Sequence, residues 1–121
     1  MSSRETGVLG ESLALRYLLD EGYELVERNY RTRHGEIDLI LRSSADTLVF
    51  VEVKTRRGTA FGDPLEAVTP SKQARVRLMA EAYLAGKGTV FADGFEEMRF
   101  DAVGILIVGG ENEIKHVEDA F

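Results

Sequence analysis

The stretch GEIDLILRSSADTLVFVEVK, residues 35–54, contains two segments with alternating apolar residues, which predict two β-strands joined by a short turn. Alternation assigns Ile37, Leu39 and Leu41 to one face of the first strand. The opposite face then carries Glu36, Asp38 and Ile40. Charged side chains oppose both strand propensity and burial in such apolar segments. Asp38, Glu52 and Lys54 therefore need a structural or chemical explanation.

A three-residue loop at Ser44, Ala45 and Asp46 fixes the expected pairing of these strands. In an antiparallel ladder with this loop, the sequence numbers of the two residues in each pair add up to 90. Asp38 then faces Glu52, and Glu36 faces Lys54. We expect these four side chains to share one face of the hairpin.

The chain has 121 residues, no cysteine and no apolar run long enough to span a membrane, which predicts a single domain over residues 1–121. The start MSSRETGVLGESLA has no continuous apolar segment of the kind found in secretion signals. We therefore expect a cytoplasmic protein with no membrane association. The lack of cysteine excludes thiol catalysis and thiolate metal sites.

Charge is unevenly distributed along the chain, whose net charge is −6. Residues 28–77 hold ten of the fifteen Lys and Arg but six of the twenty-one acids, a local balance of +4, whereas the remainder carries −10. The middle of the chain can therefore attract a polyanion, although a solvated basic surface without a partner is the simpler interpretation of charge alone.

Helix and strand signals predict the order helix, three strands, helix, strand, strand. The first helix is expected over 6–21 with Thr6 as its cap, and the second runs to Leu84 after a Thr69 cap and Pro70. The inner stripe of the second helix is expected to comprise Val76, Met79, Ala80 and Tyr83. The remaining segments are strands over 23–30, 98–108 and 114–117, and an irregular loop over 55–68.

Glu11 lies on the face of the first helix that should pack on the sheet. Gly7, Gly10 and Ala14 are small enough to let this end of the helix approach another element closely. Glu11 is then carried inward and needs a partner. The alternative is a Glu11 at the edge of the apolar stripe that reaches solvent.

Two opposed carboxylates repel unless a cation lies between them. Asp38, Glu52 and a backbone carbonyl such as that of Val53 form the oxygen donor set that Mg²⁺ or Mn²⁺ prefers. Lys54 can then orient an attacking water or stabilise developing negative charge, which suits metal-assisted phosphodiester hydrolysis. The alternative is a cross-strand ion network on an exposed sheet face.

Four other polar residues carry weaker signals. Asp101 interrupts the fourth strand, where a salt bridge at the strand end is the plainest account, and His116 has no evident chemical partner in the sequence. His34 is expected at the surface or on a phosphate. Gln73 is a weak neighbour of the site.

Several sequence blocks together make the chain resemble the YraN family of small bacterial proteins, which is similar to Holliday-junction resolvases within the PD-(D/E)XK nuclease-like superfamily. The blocks are G-E-x-x-A from Gly10, GYE from Gly22, RNYRTRHGEIDLI from Arg28, FVEVKTR from Phe50, FG-x-P from Phe61, AVTPSKQ from Ala67 and RFD from Arg99. The resemblance implies an α/β fold with a restriction-endonuclease-like αβββαβ core, in which helices flank a central mixed β-sheet.

The resemblance also implies an active site. Asp38 and Glu52 correspond to metal ligands, Lys54 to the catalytic lysine, and Glu11 to a helix-borne acid that assists the metal or its water. Two positions depart from the superfamily pattern: Ile37 replaces the proline before the aspartate, and Arg77 stands where a Q-x-x-x-Y signature from Gln73 would have tyrosine.

The leading hypothesis is a Mg²⁺- or Mn²⁺-dependent endonuclease that hydrolyses DNA, with branched or damaged DNA as candidate substrates. The residues expected to contact phosphates are Arg31, Arg33, Arg56, Arg57, Lys72 and Arg75. Because junction-cleaving relatives work as symmetric dimers, the resemblance implies a homodimer. The alternatives are a non-catalytic nucleic-acid-binding or adaptor module that keeps the fold, and a protein-interaction domain that uses the acidic termini.

Overall fold

Two helices flank a five-stranded sheet in the computed structural model, which describes residues 2–43, 46–58, 63–87, 95 and 97–121. The helices are α1, Ser3–Asp20, and α2, Pro70–Lys87, and a 3₁₀ turn covers Pro64–Ala67. The strands are β1, Glu24–Thr32; β2, Gly35–Arg42; β3, Thr47–Arg57; β4, Glu97–Val108; and β5, Glu111–Val117. The predicted element order is confirmed.

The sheet is mixed, as expected, and its spatial order follows the chain from β1 to β5. All neighbouring strands are antiparallel except β3 and β4, which are parallel. A parallel pair needs a crossover connection, and α2 lies in that connection. This is the mixed α/β architecture that the nuclease-like core predicts.

Each face of the sheet has its own apolar core. The α1 side buries Ala14, Leu18, Leu39, Leu41, Val49, Val51, Val53, Val103, Ile105 and Ile107. The α2 side buries Ile37, Ile40, Leu48, Phe50, Val76, Met79, Ala80, Tyr83 and Phe100. The predicted inner stripe of α2 is therefore confirmed.

The predicted start of the first helix was wrong. The Ser2 side chain accepts a hydrogen bond from Glu5 N at 3.1 Å, so the helix begins at Ser3 and Thr6 lies inside it. Ser followed three residues later by Glu is a capping-box pattern, which satisfies the free N–H groups of the first turn. The cap of the second helix is confirmed, since Lys72 N donates to Thr69 Oγ1 at 3.3 Å.

The predicted β2–β3 register is confirmed from Leu39, paired with Val51, to Arg42, paired with Leu48. Ser44 and Ala45 of the predicted turn, Phe61 and Gly62 of the loop, and most of 88–96 lie outside the described residues. The loop predicted from residue 55 was wrong at its start, because β3 continues to Arg57 beside β4.

The predicted face of Ile37 was also wrong, since it packs in the α2-side core with Ile40 and not with Leu39 and Leu41. Strict alternation breaks at Asp38. The ladder pairs end at Leu39, and beyond them Val53 N donates to Asp38 Oδ2 at 2.8 Å. There the Asp38 side chain, and not a backbone carbonyl, accepts the hydrogen bond from the backbone of β3. The regular alternation of side chains that the prediction assumed therefore does not continue.

Candidate active site

Close packing of α1 on β3 brings the first helix to the site. A Cβ atom on Gly10 would lie 1.7 Å from Thr55 Oγ1, so only glycine allows this approach. The next residue, Glu11, is half-buried and accepts a hydrogen bond from Asn29 Nδ2 at 2.8 Å. The inward position predicted for Glu11 is therefore observed.

Three acids form a carboxylate cluster, which we define as Glu11, Glu36 and Asp38. One oxygen of each lies within 4.8 Å of the others, and all three side chains are half-buried. Such a separation allows one small cation to contact all three oxygens. The predicted pair Asp38 and Glu11 is thus brought together, with Glu36 as an additional member.

Asn29 holds two members of the carboxylate cluster. Its Nδ2 donates to Glu11 Oε1 and to Glu36 Oε1, each at 2.8 Å, while Arg31 Nε contacts the other oxygen of Glu36 at 2.9 Å. The backbone of Asn29 has φ 53°, a left-handed conformation that asparagine tolerates better than most residues. This conformation directs the side-chain amide of Asn29 toward both Glu11 of α1 and Glu36 of β2.

Glu52 has a different environment from the carboxylate cluster. Its side chain is fully buried, and Lys72 Nζ of α2 lies 3.1 Å from Glu52 Oε2. Neither of its oxygens has a hydrogen-bond partner among the described residues, so the contact with Lys72 is an ion pair. Lys72, predicted as a phosphate contact, is instead placed as the counter-ion of a predicted metal ligand.

Burial and mutual repulsion raise the pKa of the acids at the centre of the site. Burial, followed by the charge of Glu52, raises the pKa of Asp38 to about 8. Burial also raises the pKa of Glu52, although Lys72 and Lys54 act in the opposite direction. Burial and mutual repulsion therefore disfavour the ionised form of these acids, and a divalent cation would lower this repulsion.

Lys54 lies between the two acidic environments. Burial, followed by the neighbouring Lys72 charge, lowers its pKa, while Glu52 and Asp38 partly offset this effect. Burial is also the largest single effect on the pKa of Lys72 and lowers it, but the contact with Glu52 and the charge of Asp38 together outweigh burial, so the net direction is upward. Two ammonium groups therefore face the same set of acids.

A cleft of about 790 Å³ gives access to these groups. It is lined by Ser3, Thr6, Gly7, Glu11, Asp38, Val53, Lys54, Thr55, Arg56, Arg57 and Lys72. Glu52 lies behind this lining rather than in it. The cleft combines carboxylates with four cationic side chains, which suits an anionic substrate bound through metal and cations.

The six predicted phosphate contacts fall into two groups. Arg56, Arg57 and Lys72 line the cleft, and Arg57 Nε also donates to Thr6 Oγ1 at 3.0 Å. Arg31, Arg33 and Arg75 are exposed and lie outside the lining of the cleft.

Sequence reasoning missed Asn29 and the role of Glu36. Both lie in the block from Arg28 that carried the family resemblance, and alternation already placed Glu36 on the same face as Asp38. Nothing in the spacing identified the left-handed backbone of Asn29. Gln73, by contrast, donates from Nε2 to the Val68 carbonyl at 3.1 Å, so its described contact is to the loop before α2.

The salt bridge predicted for Asp101 is confirmed, with Arg99 as its partner, although Asp101 lies inside β4 and not at its end. The absence of a chemical partner for His116 was wrong, because His116 contacts Asp101 in the same polar cluster. Asp101 is fully buried and accepts two hydrogen bonds from Arg99, both at 2.8 Å, while its Oδ2 lies 2.7 Å from His116 Nε2. Asp119 N completes the set at 3.0 Å. Asp101, in β4, therefore connects this strand to His116 of β5 and to Asp119 near the C-terminus, which both lie much later in the sequence.

None of the helices in the described part of the chain combines the length and apolar composition needed to cross a bilayer.

A family model described as uncharacterised protein family UPF0102 matches residues 10–105. A UPF0102 protein of Rhodococcus jostii strain RHA1 is 52% identical over 116 residues, which cover 95% of this chain and 94% of the relative. UPF0102 proteins of Syntrophomonas wolfei and Alkaliphilus oremlandii are 46% and 42% identical over 119 residues, which cover 98% of this chain and 99% of each relative. The range matched by the family model, residues 10–105, spans the positions of the carboxylate cluster, Glu52 and Lys54.

Proposed function

Since this chain belongs to the uncharacterised family UPF0102, the YraN family, its activity has to be argued from the site, and we propose that it is a divalent-metal-dependent nuclease acting on DNA. The observation that carries this proposal is the joint presence of a half-buried carboxylate cluster and a fully buried Glu52, neither of whose oxygens has a hydrogen-bond partner in the described structure, beside Lys54 and a cationic cleft. Carboxylates whose charged form is disfavoured by burial suit a hard cation.

The residues that would hold Mg²⁺ or Mn²⁺ are Asp38, Glu52 and Glu11, with Glu36 beside them. Carboxylate oxygens are the donors that both ions prefer, so the side chains fit the ion. The ion supplies a polarised phosphoryl oxygen and a more acidic bound water. Asn29 and Val53 N keep Glu11 and Asp38 in place through the hydrogen bonds described above.

The other residues of the cleft act on the substrate. The Lys54 ammonium faces the same acids and can stabilise negative charge as it develops on a phosphate. Glu11 lines the cleft and can accept a hydrogen bond from an attacking water. Arg56, Arg57 and the exposed arginines bind the phosphates on either side, which fixes the strand without reading its sequence.

Cleavage with Mg²⁺ or Mn²⁺ of single-stranded, duplex, flap and four-way DNA tests this function. We expect activity on at least one substrate and its loss, by about a hundredfold or more, in Asp38→Asn and Lys54→Ala. Asp20→Asn, an exposed acid on α1, is the matched control and should retain activity. The proposal fails if no substrate is cut, or if the two site variants cut as well as the wild type.

The positive balance of residues 28–77 favours one alternative, a module that binds nucleic acid without cutting it. In that case binding is metal-independent, steeply salt-dependent and undiminished by Asp38→Asn. Replacing two exposed arginines, Arg33→Gln with Arg75→Gln, should reduce the slope of log affinity against log salt by about 2 in either case. Arg16→Gln, an exposed arginine outside this region, should leave the slope unchanged. DNA as the preferred partner, a homodimer and a cytoplasmic location remain parts of the proposal.

A further inference from the structure

The contact between Lys72 and Glu52 points to a residue that competes with the metal. On the basis of the proposed function, we propose that Lys72 is the counter-ion of Glu52 in the metal-free protein and leaves it when a divalent cation binds, so that its ammonium faces the substrate. Lys72 would therefore be a positioning residue of the site and not a fixed structural ion pair.

The geometry of Glu52 supports an exchange of partners. Lys72 Nζ forms an ion pair with Oε2 at 3.1 Å, but neither Oε1 nor Oε2 has a hydrogen-bond partner in the described structure. A buried carboxylate that is paired with one ammonium and has no hydrogen bond is incompletely satisfied. A cation that also takes oxygens from Asp38 would satisfy it better.

The position of Lys72 supports its departure. Its side chain is 27% exposed while that of Glu52 is 0% exposed, so the lysine can withdraw toward solvent but the glutamate cannot. Lys72 also lines the cleft together with Lys54. It can thus move from the carboxylate to a phosphate in the cleft by rotating its flexible side chain, without movement of α2.

Electrostatic repulsion disfavours simultaneous binding of the two partners. An ammonium in contact with Oε2 repels a divalent cation at the same carboxylate. The net effect of Lys72 on metal binding in the absence of DNA should therefore be unfavourable. This expectation is the opposite of what a lysine that merely supports the local structure would give.

Manganese binding without DNA tests the inference, with free Mn²⁺ measured by electron paramagnetic resonance at fixed pH and ionic strength. We expect Lys72→Met to tighten Mn²⁺ binding by at least about threefold, because the competing ion pair with Glu52 is gone. The matched control is Lys115→Met, which removes an exposed lysine paired with Asp63 at 3.5 Å and should change the affinity by less than this. Unchanged or weaker binding in Lys72→Met overturns the inference.

A second measurement uses the wild-type protein and does not depend on the folding of a variant. Acetylation of Lys72, followed by mass spectrometry relative to Lys115, should increase severalfold when Mg²⁺ is added without DNA. No increase contradicts the inference. If Mn²⁺ binding is absent, or is not weakened by Glu52→Gln, the proposed metal site and the inference fail together; if only the Lys72 results fail, the proposed function stands.

Discussion

The acid–base properties of single residues at the site depend in some cases on neighbours in the sequence and in others on residues that are distant in the sequence. Asp38 accepts a hydrogen bond from the backbone N–H of Val53 in β3 at 2.8 Å. Its pKa is raised by burial and by the charge of Glu52, a residue that is not its neighbour in the sequence. Glu52 and Asp38 both favour the protonated form more than exposed acids do. Ionisation of Asp38 and of Glu52 therefore lowers the stability of the metal-free protein.

A prediction at this scale concerns Asp38→Asn in the presence of a chelator. The unfolded chain loses the Asp38 proton near pH 4, whereas the folded protein retains it until about pH 8, so this group lowers stability progressively as pH rises between these values. Asparagine removes that penalty and can still accept the Val53 hydrogen bond. We expect the variant to be more stable than the wild type, with a gain that increases by at least about 1 kcal/mol from pH 5 to pH 8.

Urea unfolding at both pH values measures this gain, with Asp20→Asn as an exposed control whose effect should not vary over the same range. Saturating Mn²⁺ at pH 8 should stabilise the wild type but not Asp38→Asn. A gain that stays constant with pH would show that the environment of Asp38 does not disfavour its charge.

At the scale of elements, the distance between α1 and β3 determines whether Glu11 reaches the site. Gly10 is buried, and the missing Cβ is what brings the helix against Thr55. Gly7 lies one turn earlier, where a Cβ would have no heavy atom within 4 Å. The two glycines therefore have different roles although they look alike in sequence.

The matched pair Gly10→Ala and Gly7→Ala tests this difference. Gly10→Ala forces the helix or Thr55 to move and should destabilise the protein by about 1–3 kcal/mol. Gly7→Ala adds helix propensity without a clash and should be neutral or stabilising by up to about 1 kcal/mol. Thermal unfolding of both variants provides the comparison, and a similar effect at the two positions would rule out close packing as the reason for Gly10. Partial recovery in Gly10→Ala with Thr55→Ala would identify the contact.

At the scale of the whole molecule, Asp101 connects parts of the chain that are distant in sequence. Burial raises its pKa, but hydrogen bonds from His116 and Arg99 outweigh this effect, so the net pKa is lowered. Tyr23, at the start of the sheet, joins the same cluster through Arg99. The cluster links the end of the chain to the side of the sheet that packs on α1.

Replacing Asp101 by Asn removes the nearer of the two acids that contact Arg99 and leaves only the exposed Glu118 at 3.8 Å, and we expect it to destabilise the protein by about 3 kcal/mol at pH 7. Because a lowered pKa stabilises the fold above the unfolded value and this stabilisation is lost as pH falls through the folded value, the difference from wild type should shrink below about pH 4. Urea unfolding measures both effects, and Asp20→Asn provides the surface comparison. A loss no larger than that of Asp20→Asn would mean that the cluster contributes little.

Local patterns determined most of the fold. Alternation, capping residues and turn signals predicted the order of helices and strands, the inner stripe of α2 and the register between β2 and β3, because these features depend on neighbouring residues and on hydrogen-bond geometry that repeats. They also placed Asp38, Glu52 and Lys54 on adjoining strands. The first turn of α1 was missed only because Ser2 was not recognised as the cap.

The sequence by itself thus determined which chemical groups the protein has and which strands carry them. Only the tertiary structure decided their partners: Lys72 on Glu52, Asn29 between Glu11 and Glu36, and His116 on Asp101. Each of these pairs joins elements separated in the chain, and a side chain with several rotamers can reach several neighbours. Periodicity specifies the face on which a side chain begins, but packing of one element on another specifies the group that it contacts.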